Sequence, residues 1–387
     1  MSEMNQNTQL SWVTSWYASP EPVWGEEFPF PTKLPSRLFQ QTIRQIARMS
    51  LGGGHLRIEL SNEYGNQPLV IGGATAALMA NDTMIHAESL RVLTFSGSTS
   101  VTIPAHATVL SDPVALHMEP LGLLGISLFL PEESIPSTFH WDARQTTYMA
   151  QGDHLTDVDF PADQMTDVYM YIKSIMVDAP DHAGTIVAIG DSITDGAGST
   201  LDANTRWTNF LADQLATRQI SVLNAGISGG RLLRNVKGRN VLARFDRDVL
   251  SQPNIHTVIV IIGTNDIGMP GMMFAPTESA PAADELIAGY RQLITRAHAR
   301  KVRIIGGTLP PFELYDTEAK EQLRQQINTW IRSGEFDAVL DLDLLSRDPE
   351  HPTRFLSAWD SGDHLHPGDA GNRMIAEAVV KLMDSLE

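Results

Sequence analysis

The chain has 387 residues, 42% hydrophobic and 19% charged, the composition of a folded globular protein and not of a disordered one. Its 28 basic and 46 acidic residues leave a net charge of −18, which repels nucleic acid and anionic membrane at long range. The absence of cysteine excludes disulfides, thiolate metal sites and a cysteine nucleophile.

No apolar run approaches the roughly 20 residues that span a bilayer. The opening Met1-Ser2-Glu3-Met4-Asn5-Gln6 lacks the basic and apolar regions of a signal peptide. A cytoplasmic protein is therefore expected, unless a leader has been removed. Neither a nucleic-acid nor a membrane partner is expected, and oligomeric state is not written in the sequence. The length exceeds one ordinary core, so two domains are expected.

Residues 1–35 mix Trp12, Trp16, Trp24, Phe28 and Phe30 with Pro20, Pro22, Pro29, Pro31 and Pro35. Such a segment reads as irregular, draped over a surface with its aromatic side chains tucked in. From 42 to about 177 short alternating strands follow, among them 56–60, 100–103, 123–130 and 168–172. Turn clusters at 52–54, 62–66 and 131–133 punctuate them, the pattern of an antiparallel β-sandwich or jelly roll. Residues 1–180 are thus read as a β-rich accessory domain.

After Pro180-Asp181-His182 the rhythm changes. Strands at 185–189, 220–224, 256–262, 302–306 and 338–342 alternate with helices near 206–218, 239–251, 282–300 and 317–332, and with a last one from about 369. Near-continuous β-branched strands between helices predict a parallel sheet covered on both faces, a flavodoxin-like doubly wound α/β domain over 181–387. No internal repeat is visible.

Open α/β sheets place ligands beyond the carboxyl ends of their strands. There the sequence puts Gly190-Asp191-Ser192, Asn224-Ala225-Gly226-Ile227-Ser228-Gly229-Gly230 and Gly263-Thr264-Asn265-Asp266. Near the C-terminus stands Asp360-Ser361-Gly362-Asp363-His364-Leu365-His366-Pro367-Gly368. A serine hydroxyl is a weak nucleophile until an imidazole takes its proton, and that imidazole needs an acceptor that fixes its tautomer. Asp363 and His366, three apart before a proline, can share one side of a turn and supply both. An acyl-transfer oxyanion needs donors about 2.7–3.1 Å away. The Gly229 N–H and the Asn265 carboxamide suit that task without bringing a charge. Gly190 is expected to leave room for the substrate's approach.

This set of blocks, in this order, resembles the SGNH or GDSL hydrolase family. The serine, glycine, asparagine and histidine blocks correspond to 190–192, 226–229, 263–266 and 363–367, and the likeness covers roughly 184–387. It implies Ser192 as nucleophile, His366 as base and then acid, and Asp363 as orienter. It also implies an oxyanion hole of the Ser192 N–H, the Gly229 N–H and the Asn265 side chain, with no cofactor. The first half looks like the β-rich extension of some longer members, including esterases associated with plant polysaccharide breakdown. Gly230 stands where close relatives are expected to carry asparagine. The implied activity is a serine esterase for small acyl esters, acetyl and carbohydrate-linked ones among the candidates.

Other readings compete. Gly226-Ile227-Ser228-Gly229-Gly230 also fits the Gly-x-Ser-x-Gly elbow of α/β-hydrolases, which would make Ser228 the nucleophile. An acyltransferase using the same serine and a non-catalytic glycan-binding protein are further alternatives. The histidines show no metal-ligand spacing, so no metal is expected. The run 190–200 lacks the lysine of a P-loop, which removes phosphate binding.

His364 is read as a surface or neighbouring histidine, and Asp191 and Asp195 as turn formers bonded to local backbone. Asp341 and Asp343 are read as loop or helix-cap residues, with a triad acid as the alternative. Arg231, Arg234, Lys237, Arg239, Arg244 and Arg247 are read as a solvated helix face, with an anion site as the alternative. The loop 268–276 is expected to line the pocket, close over it or simply cross over. Trp141, Arg144, Tyr148 and Asp153-His154 are expected to pack in the core or between domains, or else to extend the cleft.

Overall fold

Val187 and Ile189 face one side of the strand Gly184–Gly190, and Ile186 and Ala188 the other, so this strand needs cover on both faces. The computed structural model describes residues 9–26, 28–272, 274–315 and 317–386. Residues 1–6, which bear on the leader question, and Met273 of the loop 268–276 lie outside the described residues.

Five parallel strands form the C-terminal sheet in the order Ile220–Gly226, Gly184–Gly190, Ile255–Ile261, Arg303–Gly307 and Ala338–Leu340. The first strand in the chain lies between the second and the third, and this reversal opens a crevice at their carboxyl ends. On the face of Val187 and Ile189 pack α5 (Ala283–Ala299) and α6 (Glu318–Ile331). On the other pack α2 (Trp207–Leu215) and α8 (Asp369–Asp384). In α5 the buried Leu286, Tyr290, Leu293 and Ala297 recur at helical spacing, and Glu285 accepts from the Ala282 N–H at the N-terminus. The helix expected near 239–251 runs as α3 (Val241–Phe245) and continues as a π turn over Asp246–Leu250.

The first half is antiparallel throughout. One sheet joins Leu10–Tyr17, Ile172–Pro180, Gly53–Ser61 and Val114–Met118, with Thr108–Leu110 also on Gly53–Ser61. A second runs Gln164–Thr166, Thr147–Gln151, Gln41–Arg48, Leu123–Leu130, Gly73–Leu78 and Arg91–Val92. Their inner faces meet in one core that includes Ile58, Val177, Ile43 and Ile126.

Two expectations are corrected. Residues 10–17, read as irregular, form an eight-residue strand on Ile172–Pro180, because Val13 and Trp16 pack on the core of the first half and Tyr17 on that of the second. The single strand expected at 168–172 is split. Tyr169–Met170 pairs with Thr138–His140, Tyr171 takes a left-handed φ of 62°, and Ile172–Pro180 enters the other sheet.

The two halves are joined by buried polar contacts. The Ser221 hydroxyl donates to Thr14 O at 2.7 Å, and Val222 N to the Ser50 hydroxyl at 2.8 Å. Asp248 on the π turn receives the Tyr17 hydroxyl at 2.7 Å, the Ser19 hydroxyl at 2.9 Å, Arg244 at 2.9 Å and Arg247 at 2.5 Å. Burial works against ionisation of Asp248, yet Arg247 and Arg244 hold it well below the usual carboxylate range.

Candidate active site

Ser192 stands two residues past the strand Gly184–Gly190 as the first residue of the short helix α1 (Ser192–Asp195). Its N–H is one of the groups a helix start leaves without an internal partner. Asp191 caps this turn, its side chain accepting from Ile193 N at 3.1 Å. Gly190 does not serve substrate approach: a Cβ there would collide with Ile261 O and the Thr194 hydroxyl, so close packing inside the sheet demands the glycine.

The histidine loop lies between α7 (Leu342–Ser346) and α8, and is tied at both ends. Ser361 N donates to His366 O at 3.0 Å, and Gly368 N to Trp359 O at 2.8 Å. At the start of α8, Asp369 accepts from the Thr200 N–H and hydroxyl and from the Thr205 hydroxyl, at 2.6–2.9 Å. The segment after Ser192 is thereby fixed against the segment that carries His366.

Across this junction His366 Nε2 lies 2.8 Å from Ser192 Oγ, and His366 Nδ1 lies 2.6 Å from Asp363 Oδ2. The other Asp363 oxygen accepts from His366 N at 2.8 Å and Leu365 N at 2.9 Å. Partial burial opposes ionisation of Asp363, but the His366 imidazole and these N–H donors hold it well below the usual carboxylate range. His364 turns away, exposed and paired with Asp360 at 2.6 Å.

Gly229 has a φ of 77°, a conformation that costs a side-chain-bearing residue, and its N–H is donated to no other backbone group among the described residues. Asn265, in α4 (Thr264–Gly268), donates to Gly230 O at 3.0 Å, which uses one of its two amide hydrogens. The Tyr315 hydroxyl lies 3.5 Å from Asn265 Oδ1. Ser192, Gly229, Asn265, Asp363 and His366 all line one cavity of about 350 Å³. Its walls include Phe28, Phe30, Trp141, Met269 and Phe274. Phe274 stacks on Phe28 at 5.8 Å and on Phe30 at 5.0 Å between ring centroids.

Ser228 is 4% exposed, donates its hydroxyl to Asp142 at 2.8 Å and its N–H to Asp195 at 2.7 Å. Its hydroxyl is therefore committed to a carboxylate from the N-terminal half and not to an imidazole. Asp195 is no local turn former. Its other oxygen meets His140 Nε2 at 2.8 Å, in a buried pair. Burial pulls the His140 pKa down, but Asp195 and then Glu21 outweigh it and raise it to about 9, so the imidazole is cationic at neutral pH. Glu21, fully enclosed, is pushed up to about 7 by burial.

Of the acids near the strand ends, Asp341 caps α7 by accepting from Leu344 N. Asp343 is instead a buried partner of Arg324 and Arg332, each at 2.7 Å or less. Of the basic cluster, Arg234 and Arg239 are exposed, but the other four do not form a solvated face. Arg231 is buried and paired with Glu278 at 2.7 Å, Arg244 and Arg247 hold Asp248, and Lys237 sits in the cavity wall. Trp141 and Arg144 reach the cavity, whereas His154 bonds Asp157 and Gln151 away from it. Sequence reading missed Tyr315, Asp142 and the role of His140. Their partners lie 50, 86 and 55 residues away, so no local spacing marks them. Among the described residues no group of three or more His, Asp or Glu side chains could hold a metal ion, and no helix is long and apolar enough to cross a membrane.

Residues 188–374 match the GDSL-like Lipase/Acylhydrolase family. That part of the chain is a GDSL-like lipase/acylhydrolase (SGNH) domain, an esterase or acylhydrolase domain preceded by an extension of about 180 residues. Solved structures similar to it include a psychrotrophic esterase from Pseudoalteromonas sp., at 19% identity and TM-score 0.40, covering 52% of this chain and 98% of that one. A GDSL-like lipase from Bacteroides thetaiotaomicron is similar at 17% identity and TM-score 0.39, covering 53% and 90%. An acetyl-xylooligosaccharide esterase from Geobacillus is similar at 24% identity and TM-score 0.40, covering 52% and 94%. No curated protein matches the chain.

Proposed function

We propose that the protein hydrolyses small acyl esters through an acyl-enzyme on Ser192. The observation that carries this reading is the contact chain Ser192 Oγ, His366, Asp363, at 2.8 and 2.6 Å. Ser192 Oγ attacks the ester carbonyl carbon while His366 Nε2 takes its proton. Asp363, ionised, accepts from Nδ1–H and stabilises the imidazolium. The carbonyl oxygen becomes an oxyanion, received by the N–H groups of Ser192 and Gly229 and the second amide hydrogen of Asn265. Collapse expels the alcohol, which takes the proton from His366. Water then gives its proton to His366 and attacks the acyl carbon; collapse of this second tetrahedral species breaks the bond to Ser192 Oγ, which takes the proton back from His366 as the acid leaves.

The cavity, about 350 Å³, is near the lower end of the ~300–1,000 Å³ typical of ligand sites, yet must hold both halves of the ester. A volume of that size has little room for a long acyl chain beside the alcohol, and the clustered rings of its wall suit a ring on the alcohol side, as in an acylated sugar. 4-Nitrophenyl acetate is accordingly expected to be turned over with a kcat/KM about tenfold or more above that of the octanoate. Preference for the octanoate would remove the small-acyl reading, and no turnover of either would remove the esterase. Asn265→Ala should lower kcat by about 10²–10³ with KM little changed; an unaltered kcat would take Asn265 out of the oxyanion hole.

A further inference from the structure

Lys237 is 7% exposed, yet it lines the cavity that holds Ser192. Its stem passes Gly229, where a Cβ on that glycine would sit 3.5 Å from Lys237 Cδ. Its ammonium lies over Trp141, 3.5 Å from the ring centroid, with Phe30 at 4.9 Å and Trp24 at 5.7 Å. A ring face attracts a cation but accepts no conventional hydrogen bond from its three N–H groups. Among the described residues no carboxylate or other hydrogen-bond acceptor is in reach of Nζ.

The other cations of this cavity each have a hydrogen-bond acceptor. Lys33, also over Trp141, pairs with Asp167 at 2.7 Å, and Arg144 donates to Ser199 O. The charged groups that face Lys237 are Glu21, Asp142, Asp195 and Lys33. Asp142 is engaged by the Ser228 hydroxyl, Asp195 by His140, and one Glu21 oxygen by Trp141 N at 2.9 Å. A desolvated ammonium with free donors, in the wall of a cavity that contains the nucleophile, lacks a partner that a ligand would bring.

We propose that Lys237 is a specificity residue that pairs with a carboxylate on the substrate, so that the preferred esters carry an acid group close to the scissile bond. This rests on the reading of Ser192 as nucleophile. Burial pushes the Lys237 pKa down to about 8, against the pull of the neighbouring acids, so the pairing is strongest below that pH. Glu21, titrating near 7, adds a competing negative charge over the same range.

The test uses two pairs of esters on the full chain: 4-acetoxybenzoate against its methyl ester, and 4-nitrophenyl hydrogen glutarate against its methyl ester. The first pair places the acid on the alcohol side, the second on the acyl side. The readout is the ratio of kcat/KM, acid over methyl ester, within each pair. In one pair the ratio is expected to fall about 10- to 100-fold in Lys237→Met. Lys237→Arg, which keeps the charge, should retain most of it, and in the unaltered protein the ratio should decline as pH rises from about 7 through 8. A ratio that Lys237→Met leaves unchanged in both pairs overturns the proposal, as does a wild-type protein with no preference for the acid in either. Failure of the underlying reading looks different: turnover of both methyl esters would then survive Ser192→Ala.

Discussion

Ser192→Ala is expected to lower kcat for a short-chain chromogenic ester by at least about 10³-fold, and by up to about 10⁶-fold if the triad acts as a unit. The Oγ that alanine lacks lies 2.8 Å from His366 Nε2, and no other hydroxyl in the cavity touches that imidazole among the described residues. What remains is the catalysis of the oxyanion donors on a directly attacking water, a residue of activity above the uncatalysed rate and not zero. Ser192 contributes little to the core, so the thermal midpoint should stay near that of the unaltered protein. Steady-state kinetics on both proteins, with melting curves as the control, decide the matter. Near-wild-type turnover in Ser192→Ala, together with its loss in Ser228→Ala, would transfer the role to Ser228.

Asp248→Ala is expected to destabilise the fold by about 3–5 kcal/mol, the range for removing one partner of a buried ion pair. Arg244, fully buried, would keep its guanidinium with the principal counter-charge gone, and the Tyr17 and Ser19 hydroxyls would lose their shared acceptor. Both hydroxyls come from the N-terminal half, so the loss falls on the junction as well as on the π turn. Equilibrium denaturation measures it. A change of about 1 kcal/mol or less would mean that the site relaxes to admit water, in the manner of an exposed pair.

The C-terminal half was readable because its signals are local. Runs such as Ile186 to Ile189 declare a buried strand, and the residues proposed for catalysis sit at strand ends or three apart in a single turn. The fold class followed from the alternation of strands and helices, and Ser192 from its place at a strand end; Asp363 and His366 followed from their spacing in one turn, and the roles of all three from the family resemblance. What escaped depended on contacts between distant stretches. Leu10–Tyr17 is a strand because Ile172–Pro180 lies beside it, which nothing within those eight residues states. The arginine cluster looks like a solvated helix face until Asp248 and Glu278 are seen against it. Asp195 resembles a turn residue until His140, 55 positions earlier, is found on it.

That last contact changes what the first 180 residues are for. Through His140 and Asp142 they grip both polar groups of Ser228, directly or by way of Asp195, and Gly229 is the next residue along. An excised C-terminal half would leave Asp195 without His140 and the Ser228 hydroxyl without its acceptor, one residue before the glycine proposed to receive the oxyanion. The parallel-sheet half is consequently expected to fare poorly as a cassette cut out and grafted elsewhere, since polar partners of its Ser228 turn lie outside its own borders.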